Sequence, residues 1–129
     1  MSEEHWTNAT TPASKGPMPR GSAYPGSLDD LEAYRDLVDR HPEAEVLGAK
    51  NPYSSRNGWM TSFLDPAGLI CLRLSPEDRT AVIAAGGAAV EQYGRNMPDF
   101  ASVPASAADA ELDALFAQSW DHAGTLKPK

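Results

Sequence analysis

The sequence predicts an α+β fold of two layers: a five-stranded antiparallel sheet with helices on one face, in the order α-β(3)-α-β(2)-α. Three observations lead there. Strand candidates come in runs joined by short turns instead of alternating singly with helices, the pattern of an antiparallel sheet. Three segments open on a serine with an acid three residues on, a helix-start signal: Ser27/Asp30, Ser75/Asp78 and Ser106/Asp109. The passage from Gly68 to Gly87 joins the two patterns, an apolar run followed by a capped helix and a glycine stop.

A chain of 129 residues suits one domain with one core. Hydrophobic residues at 41% and charged residues at 22% place it among globular proteins. The formal charge of −7 opposes binding to nucleic acid by bulk electrostatics and adhesion to an anionic membrane. The single cysteine, Cys71, excludes an intramolecular disulfide and a cysteine-rich zinc site. It lies in an apolar run and reads as a small buried hydrophobe. No apolar leader and no bilayer-length run are present, so the cytoplasm is the expected location.

Residues 1–26 are rich in Pro, Gly, Ser and Thr and lack periodicity, so they read as a flexible arm. Trp6, Met18 and Tyr24 are the groups able to pin it to the domain, the favoured reading, or to a partner. The domain is expected over 27–123. Its first helix carries Leu28, Leu31, Tyr34, Leu37 and Val38 at helical spacing and ends at His41-Pro42. Ala44 to Lys50 is the first strand candidate, and Asn51 to Gly58 reads as a polar turn with a strong Asn57-Gly58 hairpin signal. Gly58 to Leu64 and Leu69 to Leu74 are the second and third strands, separated by the Asp65-Pro66-Ala67-Gly68 turn.

Ser75-Pro76-Glu77-Asp78 opens the second helix, with serine as cap, proline in the first position and two acids in the positive first turn. Gly86-Gly87 stops it. Ala88 to Tyr93 and Phe100 to Val103 are the last strands, with Gly94 to Asp99 as a loop between them. Ser106 is the expected cap of a final helix whose apolar face is Leu112, Leu115, Phe116 and Trp120. Residues 124–129 are expected to fray.

Four blocks carry a resemblance: Lys50-Asn51-Pro52-Tyr53; Gly58-Trp59-Met60 with Phe63; Leu72 through Arg79; and Tyr93 through Phe100 with Val103-Pro104. In this order and spacing they resemble the TfoX N-terminal-domain and YjbR-like family, from about Leu28 to Trp120. The resemblance implies a stand-alone single-domain member with a fold similar to secretion chaperones, in the element order already read from the residues. It implies no catalytic set and no cofactor.

No paired catalytic groups, phosphate-binding glycine loop or nucleophile elbow stands in the sequence, so no catalytic, cofactor or metal residue is assigned. His5, His41 and His122 are far apart. The candidate ligand- or partner-binding residues are Lys50, Tyr53, Arg56, Arg73 and Arg95, the cations being few in the chain and standing in the family-like blocks. Strand alternation puts Leu69, Cys71 and Arg73 on the face opposite Ile70, Leu72 and Leu74, so Arg73 belongs to the face away from the helices. Surface salt bridges are the plain account of these cations, and an anion site is the functional one. Tyr53, Trp59, Met60, Met97 and Phe100 form an aromatic and methionine set, and any exposed part of it favours a protein contact. The expected function is a non-enzymatic binding or regulatory module acting through protein partners or self-association. The alternatives are a small-anion or nucleic-acid binder and an enzyme of unrecognised type.

Overall fold

The computed structural model describes residues 22–129. Helix α1 spans Leu28–Arg40, β1 Tyr53–Arg56, β2 Trp59–Leu64, β3 Leu69–Arg73, α2 Pro76–Ala84, β4 Ala88–Gln92, β5 Arg95–Pro104 and α3 Asp109–Thr125. The order α-β(3)-α-β(2)-α is the expected one. All strand pairs are antiparallel, in the order β1-β2-β3-β5-β4. The strands β3 and β4 therefore run parallel with β5 between them, and α2 is the crossover that links them. Among the described residues no helix is long and apolar enough to cross a membrane.

The caps decide where α1 and α2 begin. Ser27 accepts from the Asp30 amide and Ser75 from the Asp78 amide, with acids in both first turns. The final helix departs from expectation: its N-cap is Ala108, without a side-chain cap. Ser106 is held in a turn closed by the Ala107 amide on the Pro104 carbonyl, ahead of the helix start. Leu31, Tyr34, Leu37 and Val38 are buried from α1, whereas Leu28, the first helical residue, is 67% exposed.

Two strand boundaries also differ. Ala44 to Lys50 forms no strand and contributes one bridge, Leu47 to Tyr53. The strand is Tyr53–Arg56, inside the segment that reads as a turn, because Ser54 buries its hydroxyl in a polar network. The Asn57-Gly58 hairpin is as expected, with both residues at positive φ, 59° and 79°. The segment Gly94 to Asp99 is mostly strand, since β5 starts at Arg95 and the hairpin turn shrinks to Tyr93-Gly94. The arm expected over 1–26 falls mainly outside the described residues, Trp6 and Met18 included; Tyr24 is buried and donates to the Asp65 carbonyl. Beyond α3 the chain docks instead of fraying: the Lys129 amide donates to Asn57, and Trp59 Nε1 to the Lys127 carbonyl at 2.9 Å.

All three helices cover one face. Leu64, Ile70, Leu72, Ala101 and Val103 of the sheet meet Tyr34 and Leu37, Val82, and Leu112, Phe116 and Trp120. Each such side chain contributes roughly 1.5–3 kcal/mol on burial. The helix α3 lies across β1, β2 and β3 and against α1, while α2 covers β5 and β4. Gly87 lets α2 approach, because a Cβ there would meet the Ser102 carbonyl and Val82 at 2.8 Å.

Among the described residues, polar groups cross this core at one place. Tyr34 Oη lies 2.7 Å from Ser62 Oγ, Ser62 Oγ 2.6 Å from Ser54 Oγ, and Ser54 Oγ 2.5 Å from Thr61 Oγ1. Ser119 Oγ donates to the Thr61 carbonyl at 2.8 Å, bringing α3 into the same network. It forms at a bulge: Ser54 pairs with Ser62 and Ser55 with Met60, leaving Thr61 as the extra residue. We expect Ser62→Ala to cost about 1–3 kcal/mol, because it strips Tyr34 of its partner. Tyr34→Phe should cost about 1 kcal/mol, since Ser62 keeps Ser54. Leu28→Ala should stay within about 0.5 kcal/mol. Urea unfolding followed by tryptophan fluorescence checks the ranking.

Candidate binding cleft on the open sheet face

Among the described residues, no helix covers the other face of the sheet. It carries a second apolar cluster of Phe63, Cys71, Val90 and Phe100, with Tyr53, Met60 and Met97 packed against it. Phe63 and Phe100 lie 5.6 Å apart, tilted at 54°. Two irregularities assemble it. Met60 and Phe63 are three residues apart and would face opposite ways on a regular strand; the Thr61 bulge turns both to the open face. Met97 and Phe100 have the same spacing, and the register breaks between them: Ala89 pairs with Ala101 but Val90 with Met97. Pro98 sits in this break, where no ladder amide is required.

Beyond the break the β4–β5 hairpin folds back over the open face. Gln92 and the Arg95–Met97 segment stand across from Asn51, Tyr53, Met60 and Phe63, enclosing a cleft of about 470 Å³. Its floor and walls are mainly apolar. Three side-chain amides, Asn51, Gln92 and Asn96, stand in the lining. Among the described residues of the lining, Arg95 is the one that carries a charge, and none is a carboxylate. The hairpin tip is a two-residue turn with Tyr93 at φ 52° and Gly94 at φ 73°, and the Tyr93 side chain is 88% exposed.

The five candidate residues are not brought together. Tyr53 and Arg95 line the cleft. Lys50 is exposed in the loop just before it. Arg56 points to the helix side, where it donates to the Trp120 carbonyl at 2.8 Å and lies 5.4 Å from the Trp120 ring. Arg73 lies on the open face, as strand alternation requires, but as a packing element. Its guanidinium sits 4.7 Å from the Phe100 ring and 5.0 Å from the Trp59 ring, and Nε donates to the Met60 carbonyl at 2.8 Å. Burial lowers the Arg73 guanidinium from its ordinary value, while Asp99 at 3.5 Å acts in the opposite sense. Sequence reasoning missed Asn51, Gln92 and Asn96; the available signal was Pro98, which marks a break in a strand and so a change of direction.

Cys71 is buried under this face, and burial, with a smaller contribution from Asp65, pushes its thiol up to about 12. Burial also raises Tyr34 and Tyr24. His41 lies against the Phe116 and Trp120 rings on the helix side, at 5.4 and 5.0 Å. Among the described residues, no group of three or more His, Cys, Asp or Glu is placed to hold a metal ion.

Fold and cleft together define a class: an α+β module with a helix-covered face and an apolar cleft on the other. In comparisons with family models, curated proteins and solved structures, nothing matches this chain.

Two measurements test this geometry. Arg73→Gln should cost about 2 kcal/mol by losing its hydrogen bond and ring contacts, whereas Asp99→Asn should change stability by less than about 0.5 kcal/mol. Chemical denaturation distinguishes the two. Stability should also fall as pH rises. The unfolded chain releases the Cys71 proton near pH 8.5, and the fold holds it to about 12. The unfolded state therefore binds fewer protons over that window, and alkali favours it. Cys71→Ala should flatten the decline between about pH 8.5 and 9.5, before unfolded tyrosines ionise near pH 10.

Proposed function

We propose that this chain is a non-enzymatic binding module that engages a partner protein through the open-face cleft, and that it is a stand-alone member of the TfoX N-terminal-domain and YjbR-like group. The observation that carries the proposal is the mainly apolar cleft of about 470 Å³ on the face that no helix of the described residues covers. Apolar surface left in water costs roughly 25 cal/mol per Å², and a contiguous concave patch of it marks a recognition surface. Met60 and Met97 can repack around different side chains. Among the described residues of the cleft the ionisable side chains are two tyrosines and an arginine, with no His, Cys, Asp, Glu or Lys. That composition supports binding over chemistry.

The blocks that carry the family resemblance supply most of the lining: Asn51 and Tyr53, then Met60 and Phe63, then Tyr93 and Arg95 through Met97. This convergence supports the family reading. A site built on clustered cations has less support, because Arg56, Arg73 and Arg95 serve separate places. The net charge of −7 opposes the nucleic-acid form of it. The cytoplasm is the compartment this function takes.

Photo-crosslinking in cells tests the proposal. With p-benzoylphenylalanine replacing Tyr93, a protein adduct should form and disappear when Met60→Glu is added. The same probe at Ala110, exposed on α3, should give none. Adducts from Ala110 alone, or from Tyr93 regardless of Met60→Glu, would overturn it.

A further inference from the structure

We infer that the cleft receives the free carboxyl terminus of an extended peptide segment ending in large apolar residues. The inference rests on the cleft being the partner-binding surface and names what enters it. Three features of the lining select this occupant.

The first is charge. In a chain of net charge −7, the described residues of the lining include Arg95 and no Asp or Glu. An anion entering the cleft finds a guanidinium, whose planar donors match the two oxygens of a carboxylate. None of the described ion pairs engages Arg95. Its position on the hairpin, directly after the Tyr93-Gly94 tip, puts that donor set in the lining of the cleft.

The second is the apolar interior. Tyr53, Met60, Phe63 and Met97 line the space between the hairpin and the sheet with aromatic and thioether side chains. A volume of about 470 Å³ exceeds what a lone small anion needs. It lies in the range of about 300–1,000 Å³ that surrounds organic ligands of several residues' bulk. An anion with a large apolar body fills both regions at once.

The third feature separates a peptide from a simple apolar acid. Asn51, Gln92 and Asn96 each offer a donor and an acceptor, the pair that a peptide unit requires. A fatty acid or aryl acid has one polar end and no group for them. They come from both sides, Asn51 from the segment before β1 and the other two from the hairpin, so they can bracket an extended chain. A peptide end supplies a carboxylate for Arg95, side chains for the interior and backbone groups for the amides. Capture of a terminal carboxylate beside an apolar pocket is a physically recurrent mode of peptide recognition.

The test uses the full chain labelled with 15N and titrated with acetyl-Ser-Gly-Leu-Phe as the free acid, as its C-terminal amide, and with 3-phenylpropionate. Amide resonances of Tyr53, Met60, Phe63 and Gln92 through Met97 should shift with the free acid, which should bind at least tenfold tighter than the amide and tighter than 3-phenylpropionate. Arg95→Gln should erase the difference between acid and amide while leaving the unfolding midpoint unchanged. Equal binding of acid and amide at the cleft would overturn the carboxylate assignment and leave the protein-contact surface standing. Binding of 3-phenylpropionate as tight as that of the peptide would overturn the peptide assignment. Shifts confined to other residues, or none with any probe, would overturn the inference. The Tyr93 crosslinking result decides the underlying surface separately.

Discussion

The Thr61 bulge is the constraint on which both faces of the sheet depend. On the helix side it lets Ser54, Thr61 and Ser62 point inward together, where Tyr34 and Ser119 complete their hydrogen bonds. Hydroxyls inside an apolar layer are costly when unpaired, and here every buried side-chain polar atom among the described residues has a partner. The strand β1 has only four residues and sits at the edge, so this network is a large part of what holds it. On the opposite side the same inserted residue brings Met60 into line with Phe63. One extra residue thus closes a polar network within and builds an apolar floor outside.

The hairpin β4–β5 repeats the device. A register break at Pro98 brings Met97 onto the same face as Phe100 and folds the tip back across the sheet. The cleft is therefore a product of two departures from regular pairing and cannot be laid out from strand periodicity. Arg73 belongs to the frame beneath: its side chain links β3 to the Met60 carbonyl and to rings from β2 and β5. A cation in this role is consumed by packing, which separates it from Arg95, whose guanidinium is exposed at the cleft.

The order of elements was legible because its signals are local. Serine caps, Pro76 at the first helical position and the Asn57-Gly58 turn act over a few residues, and they stand where they were expected. Arg73's face followed from simple alternation. What was illegible depended on distant partners. Tyr53–Arg56 reads as a turn because Pro52 and two serines dominate it; only Thr61 and Ser62 make those serines strand residues. Arg95 to Asp99 reads as a loop because Gly94 and Pro98 bracket it, although the pairing with β4 makes a strand of it. Ser106 matched a cap pattern that a preceding turn pre-empted. Of the candidate site, the aromatic and methionine set was visible, but the amides of Asn51, Gln92 and Asn96 carry no periodicity to reveal them.

The Leu47–Tyr53 bridge has a consequence for solubility. It takes the outward hydrogen-bonding groups of Tyr53, so the exposed margin of β1 is shortened at its start. At the opposite margin, β4 is five residues long, loses its regular pairing after Ala89 and carries Glu91. Neither border offers a long, flat template onto which another chain could add a strand. The fold is thereby shielded from edge-to-edge aggregation.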